Sequence, residues 1–531
     1  MAAIGAMTRF AYPAASVGVA MLAFTYFLVT APRYPFDIFD EGYMFYIAQQ
    51  LLRDRTLYVD IELFNYLPGA FYIFVPLISM TTGDVFAIRA VLAIPLALCV
   101  WLVYRIVEAE VGNRAALIAA MLLIVAPGDG HRFYIAALNL ALLLSAANYV
   151  RTAERRWLTI LGTVTGIALC VRIDAGVAGF ALLGVCAAVA PRLPAKATPL
   201  EAGLHGLFGL TIALAPIWAF FAAEGILSDY LRQLAAIPSA MLERSTADYQ
   251  TRPPGPSEVR AGSTFAAVYY ASLMVPVAAV AGLIGRRNAH HRRLFWLVTS
   301  VWLLFNLPQC LLERPDIAHF SHRTYAFIVP AVVYFCQSGA LPRPPRGASS
   351  YLVAGLAWAL LLIGGSAYAV LVHDSPGSLG QAFQAIHKVC LANGVCYPDA
   401  YSAITPHRDL MDEALGHLRP EEAIGVLPYG PGIAYLLRHP LPGRQSFLLP
   451  HSVRSRNGER EYLQTLDVSR VRYVLLETTF RYSDRETTTF RNYAPAVSSA
   501  LANCFSPRSA TGTWLLLERT SEEDAACLHR Q

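Results

Sequence analysis

Residues 85–107 read VFAIRAVLAIPLALCVWLVYRIV, and this stretch decides the fold class. It exceeds the roughly 20 apolar residues that cross a hydrocarbon core, and its charges, Arg89 and Arg105, lie toward its two ends. Arg89 has a bland reading as a side chain snorkelling to the outer interface. Working outward, further spans are expected at about 10–30, 115–128, 133–150, 158–171, 175–190, 203–222, 264–284, 294–312, 323–340 and 351–371, eleven in all. Of 531 residues, 55% are hydrophobic and 15% charged, against about 25% charged in soluble domains. A packed core cannot absorb that excess, but a bilayer can. The expected fold class is therefore an α-helical polytopic membrane protein.

Two apolar segments need separate treatment. Residues 10–30 follow Arg9 and precede further spans without a small-x-small cleavage site, so they read as a retained helix rather than a signal peptide. Pro68–Met80, opened by Pro-Gly, is too short to span and reads as an interfacial or re-entrant piece.

Loop charge sets the orientation. Arg105 and Arg114; Arg151, Arg155 and Arg156; Arg192 and Lys196; Arg286, Arg287, Arg292 and Arg293; and Arg343 and Arg346 each follow an even-numbered span, and Arg9 precedes the first. These connections are expected in the cytoplasm, which puts the tail from His373 outside. The net charge of +5 is almost wholly arginine, Lys196 and Lys388 being the only lysines. No basic domain of the kind that grips nucleic acid is present.

The chain is thus expected to comprise a transmembrane module, 1–372, with a first outer loop at 31–84, and an extracytoplasmic domain, 373–531. In the tail, short apolar strands (Ile424–Leu427, Tyr473–Leu476, Trp514–Leu517) alternate with amphipathic stretches (Arg408–Leu418, Arg460–Leu466), the texture of a small α/β domain. Pro342–Pro345 reads as a stiff linker. Cys99, Cys170, Cys186, Cys310 and Cys336 lie in apolar runs and read as packing residues. The tail's four cysteines fit two disulfides, Cys390–Cys396 and Cys504–Cys527, in an oxidising compartment.

The outer loops hold the candidate chemistry. Asp37, Asp40 and Glu41 open a helical pattern carrying apolar Met44, Phe45, Ile47, Ala48, Leu51 and Leu52, with Gln49, Gln50, Arg53 and Asp54 opposite. That helix is expected to lie flat on the membrane. The acids serve either as cap and dipole complement or as catalysts, and one carboxylate could do both. Asp129, His131 and Arg132 sit in a short Gly-flanked turn. Arg172 and Asp174 interrupt an apolar stretch, where ionisable groups line a cavity or pair across the turn. Glu313-Arg314-Pro315-Asp316-Ile317-Ala318-His319, with His322 and Arg323, could face phosphate or, through Asp316 and His319, bind a metal.

The ordered combination resembles the polytopic C-type (GT-C) glycosyltransferases, whose relatives include protein O-mannosyltransferases and lipid A aminoarabinose transferases. The resemblance rests on Asp40-Glu41 after the first span, the helix to Arg53 and Tyr66-Leu67-Pro68-Gly69-Ala70-Phe71-Tyr72. It continues in Arg89, Arg314-x-Asp316-x-x-His319, Val426-Leu427-Pro428-Tyr429 and Arg472-Tyr473-Val474-Leu475. It implies transfer of a sugar from a polyprenyl-phosphate donor to an extracytoplasmic hydroxyl of an envelope glycan, lipid or protein, with inversion, at a bacterial inner membrane. Asp40 would be the base, with Glu41 assisting or binding a divalent metal ion, and Asp129 a second acid. Arg172, His319, Arg323 and Arg89 would face the donor phosphate, supported by Asp174, Asp316 and Tyr66. Where the lipid A transferases carry a Glu-Lys-Pro-Pro type stretch, this chain has Asn65-Tyr66-Leu67-Pro68, which argues against their acceptor. The rival class is a transporter or flippase, in which buried charges line a pathway.

Overall fold

The computed structural model of the protein describes residues 2–63, 66–128, 130–246, 264–284, 290–308, 320–321, 323–338, 387–399, 406–454, 458–468, 470–481 and 489–520. The expected span 351–371, the linker Pro342–Pro345, and residues Asp129, Asp316, His319, Cys310 and Cys527 lie outside them. Two compact units emerge. One comprises Met1–Ala31, Arg89–Phe221 and Gln250–Gln384, the other Pro32–Ile88, Ala222–Tyr249 and Ala385–Gln531.

The first unit is helical. Its helices are Ala2–Thr30, Val85–Val111, Asn113–Val125, Phe133–Thr152, Arg156–Val171, Ile173–Val189, Pro199–Ala223, Thr264–Ile284, His290–Asn306 and Thr324–Ser338. Each expected span within the described residues falls on one of them. Among the described residues, five segments are long and apolar enough to cross a membrane: Ala14–Arg33, Val85–Val111, Gly130–Thr152, Ile173–Arg192 and Pro199–Ala223. The outer faces carry exposed Met21, Ile94, Ile118, Phe208 and Leu304, surface that water would disfavour and lipid accepts. Cys336 belongs to that outer surface and corrects its reading as a packing residue, whereas Cys99, Cys170 and Cys186 are buried. Small residues let the helices approach. A Cβ on Gly162 would lie 2.0 Å from the Gly206 carbonyl oxygen, and one on Gly209 would lie 1.9 Å from that of Thr159. Arg105, Arg114 and Arg151 line one cavity of about 620 Å³.

The second unit is built on a four-stranded sheet and a buried helix. Strands β1 (His387–Cys390) and β2 (Cys396–Asp399) form a hairpin closed by the Cys390–Cys396 disulfide. Cys504 is also disulfide-bonded. Strands β3 (Gly425–Leu427), β4 (Tyr473–Glu477), β5 (Phe505–Thr511) and β6 (Trp514–Arg519) form a sheet in the order β3-β4-β6-β5, with β3 parallel to β4 and the other pairs antiparallel. The Gly458–Val468 and Pro495–Cys504 helices share a core with Leu427, Val474 and Leu517.

The Asp40–Leu51 helix corrects the expectation of a polar face left exposed opposite the apolar one. Glu41, Gly42, Tyr43, Met44, Phe45, Tyr46, Ile47, Ala48 and Gln50 are all buried. Gln50, assigned to the polar face, is 1% exposed. The reason is a second neighbour that periodicity cannot reveal. The Pro431–Leu437 helix crosses it with glycine against glycine, where a Cβ on Gly42 would meet the Gly432 Cα at 2.3 Å. The Gly432 amide donates to the Ile38 carbonyl at 2.9 Å, and the Leu441 amide donates to the Tyr46 hydroxyl at 2.7 Å. Pro68–Met80 becomes two short helices, Pro68–Tyr72 and Phe74–Thr81, with Phe71, Phe74 and Ile78 buried.

Candidate active site

In the second unit the acidic run is locked by its own backbone. Asp37 Oδ1 accepts from the Phe39 amide at 2.9 Å, and Oδ2 accepts from the Asp40 and Glu41 amides at 3.2 and 3.4 Å. Glu41 Oε2 accepts in return from the Asp37 amide at 3.2 Å. This reciprocal pairing satisfies helix-start donors as a capping box does. Glu41 is 3% exposed, with its carboxylate turned back to the chain. The cap leaves Asp40 half-buried at the head of the helix.

Tyr429 reaches Asp40 from 389 residues away. Its hydroxyl donates to Asp40 Oδ1 at 2.8 Å. Burial, and then the charge of Asp40, push the Tyr429 phenol well above its ordinary range, so it stays protonated as a donor. Aromatic rings surround the pair. Phe39 stacks on Tyr429 at 5.2 Å, Phe447 meets Tyr429 edge-on at 5.2 Å, and Phe480 lies 6.3 Å from Phe39. Tyr43, one helical turn after Asp40, packs on Tyr66, Phe71 and Phe447. Tyr66, expected as a supporting residue, therefore belongs to this frame.

In the first unit the charges form a buried network. Arg172 Nε donates to Asp174 Oδ1 at 2.8 Å, and Arg323 Nη2 donates to Asp174 Oδ2 at 2.6 Å. Arg323 Nη1 also donates to Asn306 Oδ1 at 2.7 Å and to the Tyr325 hydroxyl at 3.2 Å. Asn306 reaches Asn139, whose carbonyl accepts from the Trp302 indole at 2.9 Å. The simple Arg172–Asp174 pair is thus extended by a second arginine. The Arg323 side chain is 1% exposed and that of Arg172 17%. Arg89 is 6% exposed, which corrects its reading as a snorkelling side chain. His131 is buried and its Nε2 accepts from Arg132 Nε at 3.2 Å.

Sequence reasoning missed Tyr429, Asn306, Tyr325 and the ring frame as site components. Asn139 and Asn306 carried a signal, since each is an amide in an otherwise apolar run. Tyr429 carried only its place in the Val426-Leu427-Pro428-Tyr429 stretch, with no sign that it meets Asp40. Among the described residues, no group of three or more His, Cys, Asp or Glu side chains is placed to hold a metal ion.

Residues 68–220 match the family described as dolichyl-phosphate-mannose-protein mannosyltransferase. The match contains Arg89, Asp129, Arg172 and Asp174 and begins after Asp40. No curated protein matches the sequence. Among solved structures, ArnT from Cupriavidus metallidurans in the apo state aligns with 96% of this chain and 98% of its own, at 13% identity and a TM-score of 0.53. The oligosaccharyltransferase AglB from Archaeoglobus fulgidus, solved with an inhibitory peptide and a dolichol-phosphate, aligns with 97% of this chain and 75% of its own, at 13% identity and a TM-score of 0.48. Residues 68–220 thus carry the match to that mannosyltransferase family, and the chain as a whole shares its fold with ArnT.

Proposed function

We propose that the protein moves a sugar from a polyprenyl-phosphate donor to an extracytoplasmic hydroxyl, with Asp40 as the base. One observation carries the assignment. Asp40 is the carboxylate of the acidic run left half-buried and aimed at a side-chain hydroxyl, while Asp37 and Glu41 are bound to backbone amides. The phenol of Tyr429 occupies the position that an acceptor hydroxyl would take.

The transfer balances without an external acid. The acceptor oxygen forms a bond to the anomeric carbon as its proton passes to Asp40, and the bond from that carbon to the donor phosphate oxygen breaks. The electron pair leaves with the polyprenyl phosphate, a stable anion, unlike the alkoxide that a glycosidase must protonate. Attack opposite the leaving group inverts the anomeric centre. The family description, which names a dolichyl-phosphate-mannose donor, supports the lipid phosphate.

The cation for the departing phosphate is assigned to Arg172, the more exposed of the two arginines on Asp174. Arg323 holds Asp174 from behind. Roles for Asp129 and His319 stand on the resemblance alone. Glu41 commits a carboxylate oxygen to the Asp37 backbone amide.

The same reading places the protein in a bacterial inner membrane with its tail outside. Convergence of Arg105, Arg114 and Arg151 on one cavity supports a common side for those loops. Asp40→Asn should abolish transfer while the protein inserts and melts as the wild type does. Near-normal transfer by that variant would remove Asp40 as the base.

A further inference from the structure

We infer that the rings beside Asp40 form the acceptor subsite and that it takes a sugar ring, so that the acceptor is a carbohydrate hydroxyl. The inference rests on the reading of Asp40 as the base. Phe39, Asp40, Tyr66, Tyr429 and Phe480 are all half-buried, whereas Tyr43, Phe71 and Phe447 behind them are buried. The partly accessible layer thus consists of aromatic rings with a carboxylate and a phenol hydroxyl among them. A pyranose offers the complement, with apolar C–H faces to lie on rings and hydroxyls to meet the oxygen atoms.

A second observation points to a ligand. The Tyr43 hydroxyl is buried without a hydrogen-bond partner, in a side chain 1% exposed. Tyr43 lies three residues after Asp40 on the same helix face, and its phenol is raised above the ordinary range by burial first, then by Tyr66, Glu62 and Tyr58, and least by Asp40. A buried donor left unsatisfied is costly, and a neighbouring hydroxyl of the acceptor ring would satisfy it.

The main-chain geometry disfavours an extended peptide. β3, the strand that delivers Tyr429, lies at the sheet edge, where a peptide would add as a further strand. That edge is occupied. The Ile424 amide donates to the Pro440 carbonyl at 3.0 Å, and the Leu448 amide donates to the Pro428 carbonyl at 2.8 Å.

Saturation-transfer NMR on the full chain in lipid nanodiscs tests the subsite, with methyl α-D-mannopyranoside, methyl β-D-glucopyranoside and a blocked Ala-Thr-Ala peptide as probes. At least one glycoside should receive saturation on the C–H protons of one ring face, and the peptide none. Phe480→Ala, or Phe39→Leu should the first melt early, should weaken the glycoside signal at least about fivefold, the scale of one aromatic contact. Tyr43→Phe should weaken it less, without lowering the melting temperature. Saturation of the peptide in preference to both glycosides overturns the inference, as does a glycoside signal that survives both ring substitutions. Asp40→Asn separates the two readings. Glycoside binding with transfer retained sinks the base and keeps the subsite, whereas transfer lost with no ring-dependent binding keeps the base and sinks the subsite.

Discussion

At the residue scale, burial and partners separate side chains that look alike in the sequence. Arg172 and Arg323 both bind Asp174, yet Arg323 also holds Asn306 and Tyr325 and is sealed from solvent. Removing a sealed partner leaves a buried charge uncompensated. Arg323→Gln should therefore cost stability by about 3 kcal/mol or more, read as a lowered melting temperature in detergent. Arg172→Gln should instead lower transfer with a much smaller stability loss, and equal losses from both would contradict their separate roles. Glu477 supplies the pH-dependent residue. At the end of β4 it is 8% exposed, its Oε2 lacks a partner, and burial pushes its carboxyl up to about 7. Between the ordinary carboxyl range and that value, the folded chain holds a proton that the unfolded chain has released. Stability then falls as pH rises through that window and levels off above it. Glu477→Gln should remove the slope, gaining on the order of 1–3 kcal/mol over the wild type above about pH 7 and nothing near pH 4. Parallel pH profiles of melting for the two proteins would contradict this.

At the element scale, legibility tracked how local each cause was. The spans and the strands Gly425–Leu427, Tyr473–Glu477 and Trp514–Arg519 were readable, because apolar runs of the right length announce themselves. β5 was not, since it is polar, contains Pro507 and has a mostly exposed face. The Asp40–Leu51 helix was readable as a helix but not as a buried one, because half of what buries it is the Pro431–Leu437 helix, close to 400 residues on. Its glycine crossing is the element most sensitive to a single methyl group. Gly42→Ala would place a Cβ 2.3 Å from backbone. It should cost about 2 kcal/mol or more through overpacking, and it should reduce transfer by shifting Asp40 from Tyr429. A variant that melts and turns over like wild type would show that the two helices can part without consequence.

At the scale of the whole molecule, composition carried the polytopic class, and loop charge gives the expected sidedness. They could not show that Pro32–Ile88 forms one compact unit with Ala385–Gln531, because chain order alone suggests a division near residue 372. Contacts such as Gly42–Gly432 and Asp40–Tyr429 span the chain, and no local pattern encodes them. The expected topology is open to test by cysteine labelling at exposed Arg419 or Glu421. A membrane-impermeant maleimide should reach those sites from outside intact cells, and labelling solely from the cytoplasmic side would invert the assignment. One unit holds a capped, half-buried carboxylate among rings, and the other holds an Arg–Asp–Arg network. The most direct measurement is release of free polyprenyl phosphate by the purified protein, supplied with a panel of polyprenyl-phosphate sugars and glycan acceptors, for wild type and Asp40→Asn. The account predicts one lipid phosphate released per sugar transferred by the wild type and none above background by the variant. Acceptor-dependent release at the same rate by both proteins would contradict it.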